Sequence, residues 1–146
     1  MIREMQIDDL DQVMEIEEES FSIPWTANGF FTFLIREDAL FLVSEDDNKI
    51  NGYIGLICAP PEGDITNVAV RSSERNKGIG KALVSEMISR AHEKGVDDIF
   101  LEVRVSNVPA IRLYEAYGFE NMGIRKNYYE RPTEDAFIMK RSYGAE

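Results

Sequence analysis

The sequence predicts a mixed α/β (α+β) fold: a central, twisted, mixed sheet of about seven strands with helices on both faces. Three observations predict it. Hairpin-like pairs of apolar runs dominate the first half, strand–helix–strand crossovers dominate the second, and no internal repeat or low-complexity linker interrupts the 146 residues. All elements are therefore read as one domain over residues 1–146.

A strand is expected over Ile2–Gln6. Asp8 then caps a helix with Leu10, Val13 and Met14 at helical spacing. Ser22-Ile23-Pro24 breaks it, because proline disfavours helix in the residue before it. A second helix begins near Thr26 with Phe30, Phe33 and Leu34 on one face. Strands Ala39–Ser44 and Ile50–Cys58 flank the polar turn Asp46-Asp47-Asn48-Lys49. The turn Ala59-Pro60-Pro61-Glu62-Gly63 leads to a strand over Asp64–Arg71. A long helix runs from Gly78 to Gly95 with Ile79, Leu83, Met87 and Ala91 in a stripe and Gly95 as its stop. Asp98–Val105 is a strand, and Ser106 or Asn107 starts a helix that ends at Gly118. Strands near Phe119–Lys126 and Asp135–Lys140 close the order.

Composition removes several function classes. The formal net charge of −11 argues against a nucleic-acid partner, since phosphate binding needs a cationic face. One cysteine, Cys58, permits no intrachain disulfide, and with the single His92 it cannot build a Cys/His metal site. Cys58 lies in the apolar run Gly52–Cys58 and reads as core; His92 reads as a helix-end or solvated residue. No window approaches a membrane-spanning run and the N-terminus lacks an apolar signal core, so the expected setting is cytoplasmic, with no membrane partner. The expected assembly is a monomer or weak dimer. Acid is uneven: Glu4, Asp8, Asp9, Asp11, Glu15, Glu17, Glu18 and Glu19 include no base among them. They read as a solvated helix face with favourable N-terminal charge, or as a field that attracts a basic peptide.

The chemistry concentrates first in Val68-Ala69-Val70 and the loop that follows. A strand runs into Arg75-Asn76-Lys77-Gly78-Ile79-Gly80-Lys81, and that loop runs directly into a helix. Gly78 and Gly80 allow close backbone approach, and the free N–H groups of a first helical turn attract an anion. Arg75, Lys77 and Lys81 add local positive charge to an acidic chain. The loop is neither a Walker A sequence nor a three-glycine dinucleotide fingerprint. A bland alternative stays open, in which the glycines serve tight packing and the bases solvate a helix end.

This loop resembles the Arg-x-x-Gly-x-Gly signature of the GNAT superfamily of N-acetyltransferases. A second stretch resembles that family too: Leu101-Glu102-Val103, Asn107, Ala110-Ile111, Leu113-Tyr114 and Gly118-Phe119. Within the family, Leu101–Arg104, Ser22–Thr26, Arg125–Tyr129 and Glu134–Met139 look most like the RimI type, the ribosomal-protein-alanine N-acetyltransferases. The resemblance spans about residues 21 to 140 and includes the element order.

The resemblance implies acetyl-coenzyme A as co-substrate and no metal. Arg75 to Lys81 would cradle its pyrophosphate, Val68, Ala69 and Val70 would offer backbone groups to the pantetheine arm, and Asn107 and Ala110 would flank that arm. It implies Glu102 as general base for the acceptor amine and Tyr114 as general acid for the departing thiolate. An amine attacks only when neutral, so a base is useful to an α-amine of pKa about 7.7–8.0. Glu102 and Arg104 share a strand face, and Asn107 and Tyr114 lie about two helical turns apart. A salt bridge is the bland alternative for Glu102, and core packing is that for Tyr114. Trp25, Tyr128 and Tyr129 would meet the acceptor, with aromatic packing as their alternative. The implied acceptor is a protein N-terminus, an alanine-initiated ribosomal protein. Acetylation of lysine or a small amine, and a non-catalytic acyl-coenzyme A sensor, are the competing functions.

Overall fold

The computed structural model describes residues 1–143; the last three residues of the domain expected over 1–146 lie outside the described residues. The elements are β1 (Ile2–Glu4), α1 (Leu10–Ser20), α2 (Ala27–Leu34), β2 (Ala39–Asp46), β3 (Lys49–Ala59), β4 (Glu62–Val70), α3 (Ile79–Glu93), β5 (Asp98–Arg104), α4 (Val108–Ala116), β6 (Glu120–Tyr129) and β7 (Glu134–Ser142). They form a mixed α+β fold around one seven-stranded sheet, ordered β1-β2-β3-β4-β5-β7-β6. Only β4 and β5 pair in parallel; the other neighbours are antiparallel.

Strand alternation divides the core between the two faces. On β2, Phe41 and Val43 join Val13 and Ile16 of α1 and Phe30 of α2. Leu40 and Leu42 join Leu83, Val84, Met87 and Ala91 of α3 and Tyr114 of α4. Helices α1 and α2 therefore cover one face, and α3 and α4 cover the other. Cys58 packs against the α3 side of the core, as its apolar run suggests. His92 is not simply solvated: its ring meets Tyr143 edge-on at 4.7 Å and its Nε2 lies 3.2 Å from the Arg141 guanidinium.

Three local readings need correction. Both hairpin turns are tighter than expected: β2 and β3 are joined by Asp47-Asn48, both at positive φ, and β3 and β4 by Pro60-Pro61. Paired left-handed residues match the twist of a two-residue hairpin, so the strands extend into the polar residues. Strands β6 and β7 are also longer than expected, which puts Tyr128 and Tyr129 inside β6. Finally, Asp8 is exposed and caps nothing; Asp9 does the work. Chain entry to α1 goes through a 3-10 turn, Ile7–Asp9, where the Asp9 carboxylate accepts the Gln6 N–H at 2.7 Å and two Arg3 N–H bonds at 2.8 Å.

The hydrogen bonds from Arg3 hold the buried Asp9 below the usual carboxylate range. A depressed native pKa adds stability that is present above the unfolded value of about 3.9 and is lost as pH falls through the native value. Asp9→Asn is therefore expected to lower stability at neutral pH and to flatten its decline below about pH 4. Urea midpoints at neutral and acidic pH check this; an unchanged acid limb would assign that limb to other carboxylates.

Among the described residues, no helix is long and apolar enough to cross a membrane.

Candidate active site

The parallel seam between β4 and β5 is short. Residues pair at Glu62 with Asp98, Gly63 with Ile99 and Asp64 with Phe100, and the ladder stops there. Beyond it, β4 keeps its partner β3 up to Val70, while its other edge faces open space. A groove of about 1000 Å³ occupies this splay. Unpaired backbone groups need partners, so a groove along such an edge suits an extended polar ligand.

Val68, Ala69 and Val70 line one wall. Arg75, Asn76, Ile79 and Gly80 continue it at the start of α3. Asn76 and Gly78 take left-handed conformations at φ 65 and 81, which curls the loop around the helix N-terminus. There the N–H of Ala82 already bonds to Gly78 O at 3.0 Å, so the earlier N–H groups of the turn are the ones left for a ligand. Lys77, Gly78 and Lys81 do not line the groove. Lys77 is held by Glu74 at 2.9 Å and Lys81 is exposed, so the loop's positive charge inside the groove comes from Arg75 and the helix end.

Helix α4 supplies the opposite wall. Asn107 caps it by accepting the Ala110 N–H at 3.3 Å, and Pro109 suits the first turn. Asn107, Ala110 and Tyr114 all line the groove, as two-turn spacing requires. Tyr114 is buried, its ring 5.7 Å from Phe119, and burial raises its hydroxyl well above the ordinary tyrosine range. It stays protonated and able to donate.

Strand β5 brings Glu102 and Arg104 to the same groove from one strand face. Glu102 is less enclosed than a buried base would be: its side chain is 26% exposed and lies 3.7 Å from Arg125. The salt bridge foreseen as its bland alternative is therefore present. Arg125 is itself 57% exposed, so the pair contributes little.

Trp25, Tyr128 and Tyr129 also line the groove. Trp25 also stacks on Phe33 at 4.9 Å and tilts against Phe30 at 5.0 Å, so packing accounts for much of its ring. Tyr129 lies under Arg104 at 4.5 Å, and burial with neighbouring Tyr128 and Glu102 pushes its hydroxyl up to about 12. Arg104 donates to the carbonyls of Glu130 and Pro132 at 2.9 and 3.0 Å and to Glu134 at 3.1 Å. It thereby fastens the β6–β7 turn to the sheet.

The chain matches the acetyltransferase (GNAT) family over residues 10–119. It is 40% identical over 139 residues, covering 94% of this chain and 92% of the relative, to a protein of Bacillus subtilis named putative ribosomal protein bS18-alanine N-acetyltransferase. The chain belongs to the GNAT family. Its fold superposes on the crystal structure of the ribosomal-protein-S18-alanine N-acetyltransferase of Escherichia coli with a TM-score of 0.92, at 30% identity, over 100% of this chain and 95% of the other. Ard1 of Thermoplasma volcanium matches with a TM-score of 0.90 at 29% identity, over 98% and 97%.

As a GNAT enzyme it is an acetyl-coenzyme A-dependent N-acetyltransferase. The groove fits that donor: an unpaired strand edge suits the amide-bearing arm, and a curled loop at a helix N-terminus suits a pyrophosphate. No group of three or more metal-ligating side chains occurs among the described residues.

The GNAT groove also contains residues that sequence reasoning passed over. Glu17 and Asn67 line it, and Glu17 is 2% exposed. A signal existed: Leu10, Val13, Met14 and Glu17 share the spacing of the apolar stripe, so an acid sits where α1 faces the core. The acidic run hid it. The run is mostly a solvated face, since Glu4, Asp8, Asp11, Glu15, Glu18 and Glu19 are exposed, even though Glu15 binds Arg71 at 2.9 Å and Glu19 accepts the Ser72 N–H at 2.7 Å. The exceptions are Asp9, which binds Arg3, and Glu17, which is internal.

Proposed function

We propose that the protein acetylates the α-amine of a protein N-terminus, with an alanine-initiated ribosomal protein as acceptor. The observation that carries this reading is the meeting of Glu102 and Tyr114 in one groove that Trp25, Tyr128 and Tyr129 also line. The names of the Bacillus and Escherichia relatives support the acceptor class.

Acetyl-coenzyme A supplies an acyl group already activated as a thioester. Val68 to Val70 and Asn107 hold its arm, and Arg75, Asn76, Ile79, Gly80 and the α3 N-terminus hold its phosphates, with Lys77 and Lys81 contributing charge from outside the groove. Glu102 accepts a proton from the acceptor ammonium, directly or through a water, and leaves the amine free to attack. As the C–N bond forms and the C–S bond breaks, Tyr114 Oη gives its proton to the sulfur, and the acylated nitrogen sheds its second proton, which restores the Tyr114 hydroxyl directly or through water. Tyr128 or Tyr129 donates to the backbone of the incoming peptide. An α-amine, with its pKa of about 7.7–8.0, asks less of a partly exposed carboxylate than lysine at about 10.4.

The test compares kcat/KM for peptides starting Ala-Arg and Ala-Glu and for an N-blocked lysine peptide. Ala-Arg is expected to be fastest, on the order of 10-fold over Ala-Glu at low salt, because the chain is strongly anionic. Moderate salt should narrow that gap, since screening acts over about 8–10 Å. Equal rates for Ala-Arg and Ala-Glu would remove the electrostatic preference. A faster N-blocked lysine peptide would overturn Nα-acetylation.

A further inference from the structure

We propose that Glu17 is a positioning residue for the acceptor, tying the acceptor-side loop to the donor-side strand. Its carboxylate lies in the last turn of α1 and receives three neutral donors from three different elements. The Trp25 N–H donates at 2.8 Å from the α1–α2 loop, the Tyr53 hydroxyl donates from β3, and the Asn67 amide donates at 3.3 Å from β4. Burial, then the charge of Glu17, raises the Tyr53 phenol and keeps it a donor.

The loop held by Glu17 is the acceptor wall: Phe21, Ser22, Ile23 and Trp25 line the groove. The Asn67 end is the donor wall. The β3–β4 register slips between Gly55 and Leu56, opposite Asn67 and Ile65, so Thr66 is an extra residue in β4. The Thr66 hydroxyl donates to Asn67 Oδ1 at 2.7 Å, which turns the Asn67 amide nitrogen toward Glu17. The bulge lies within the groove-lining run Ile65–Val70, directly before Val68, Ala69 and Val70.

A carboxylate here is costly for mere packing. Burying a charge among neutral donors is expensive, and an apolar side chain would fill the space between α1 and the sheet at less cost. What an apolar side chain cannot do is accept from Trp25 and Asn67 together. Small displacements of a positioned substrate have large kinetic effects, so this tie bears directly on the reaction.

The inference rests on the acceptor entering between Trp25 and Tyr129. The test uses the full-length enzyme with Glu17→Gln, which keeps the volume but presents N–H groups where acceptors are needed. Melting temperature reports folding, and the fluorescence of Trp25, the single tryptophan, reports the loop. Calorimetry gives acetyl-coenzyme A affinity and steady-state kinetics give acceptor KM and kcat. In folded Glu17→Gln, acceptor KM should rise on the order of 10-fold, Trp25 emission should shift, and donor affinity should stay unchanged. If Glu17→Gln does not fold, Asn67→Ala decides, because it cuts the link from Glu17 to β4, along with the local Thr66 bond, and leaves the Trp25 and Tyr53 bonds in place; a smaller rise in acceptor KM is expected. A wild-type acceptor KM in the folded variant would overturn the proposal, as would an equal loss of donor affinity. If the wild type ignores the Ala-Arg peptide, the N-terminal reading has failed; the same variants are then compared on whichever amine it does acetylate.

Discussion

Tyr114→Phe is expected to lower turnover on the order of 10²-fold or more while the fold and most acetyl-coenzyme A affinity remain. The ring faces the α3-side core and packs on Phe119, and phenylalanine preserves both contacts. Only the hydroxyl is lost. Burial raises that hydroxyl's pKa, so it stays protonated until negative charge develops beside it on the sulfur. A departing thiolate, with a parent pKa of about 8.5, gains from that proton as the C–S bond breaks. Single-turnover rates, melting temperature and calorimetric affinity separate the outcomes. Wild-type turnover in the folded variant would leave Tyr114 as a core aromatic. A loss of affinity equal to the loss of rate would move its role from proton donation to binding.

Gly78→Glu is expected to weaken acetyl-coenzyme A binding on the order of 10- to 100-fold, the loss that follows when charge-assisted contacts to a phosphate are opposed. Gly78 precedes the first turn of α3 at φ 81, and a Cβ there would meet no atom within 4 Å. Space therefore is no obstacle, but left-handed backbone costs a non-glycine residue roughly 1 kcal/mol. Gly78→Ala carries that backbone cost without the charge and is the needed control. Its affinity should stay near wild type while its melting temperature falls. The glutamate variant adds a carboxylate beside the N–H groups of Ile79 and Gly80, where it competes with an incoming anion. Equal affinities for wild type and the folded glutamate variant would remove the pyrophosphate from this loop.

Sequence patterns determined most of the architecture. Alternating apolar runs separated by Pro and polar pairs specified the early hairpins, and the stripe Leu83, Met87 and Ala91 specified the long helix that buries them. These signals are local: period, caps and turn residues act within a few positions, so they can be read one element at a time. The glycine loop and the Asn107–Tyr114 spacing were legible for the same reason, because each lies within one strand–loop–helix or one helix. Element ends were less legible. Asp9 replaces Asp8 as the capping acid because Arg3, on a neighbouring strand, selects it.

Only the tertiary structure decided which charges are used up. Glu102 meets Arg125, Glu15 and Glu19 stay exposed but bond to Arg71 and Ser72, and Asp9 and Glu17 alone of the acidic N-terminal run are buried. It alone decided that β4 and β5 part after Asp64, opening the groove between two strands that read alike in sequence. It alone singled out Glu17 from its neighbours Glu18 and Glu19. The physical reason is common to all three. Ionic and hydrogen-bond partners such as Glu17 with Asn67, or Glu15 with Arg71, are more than 40 residues apart. No local spacing encodes them, and they exist only once the sheet has brought α1, β3 and β4 together.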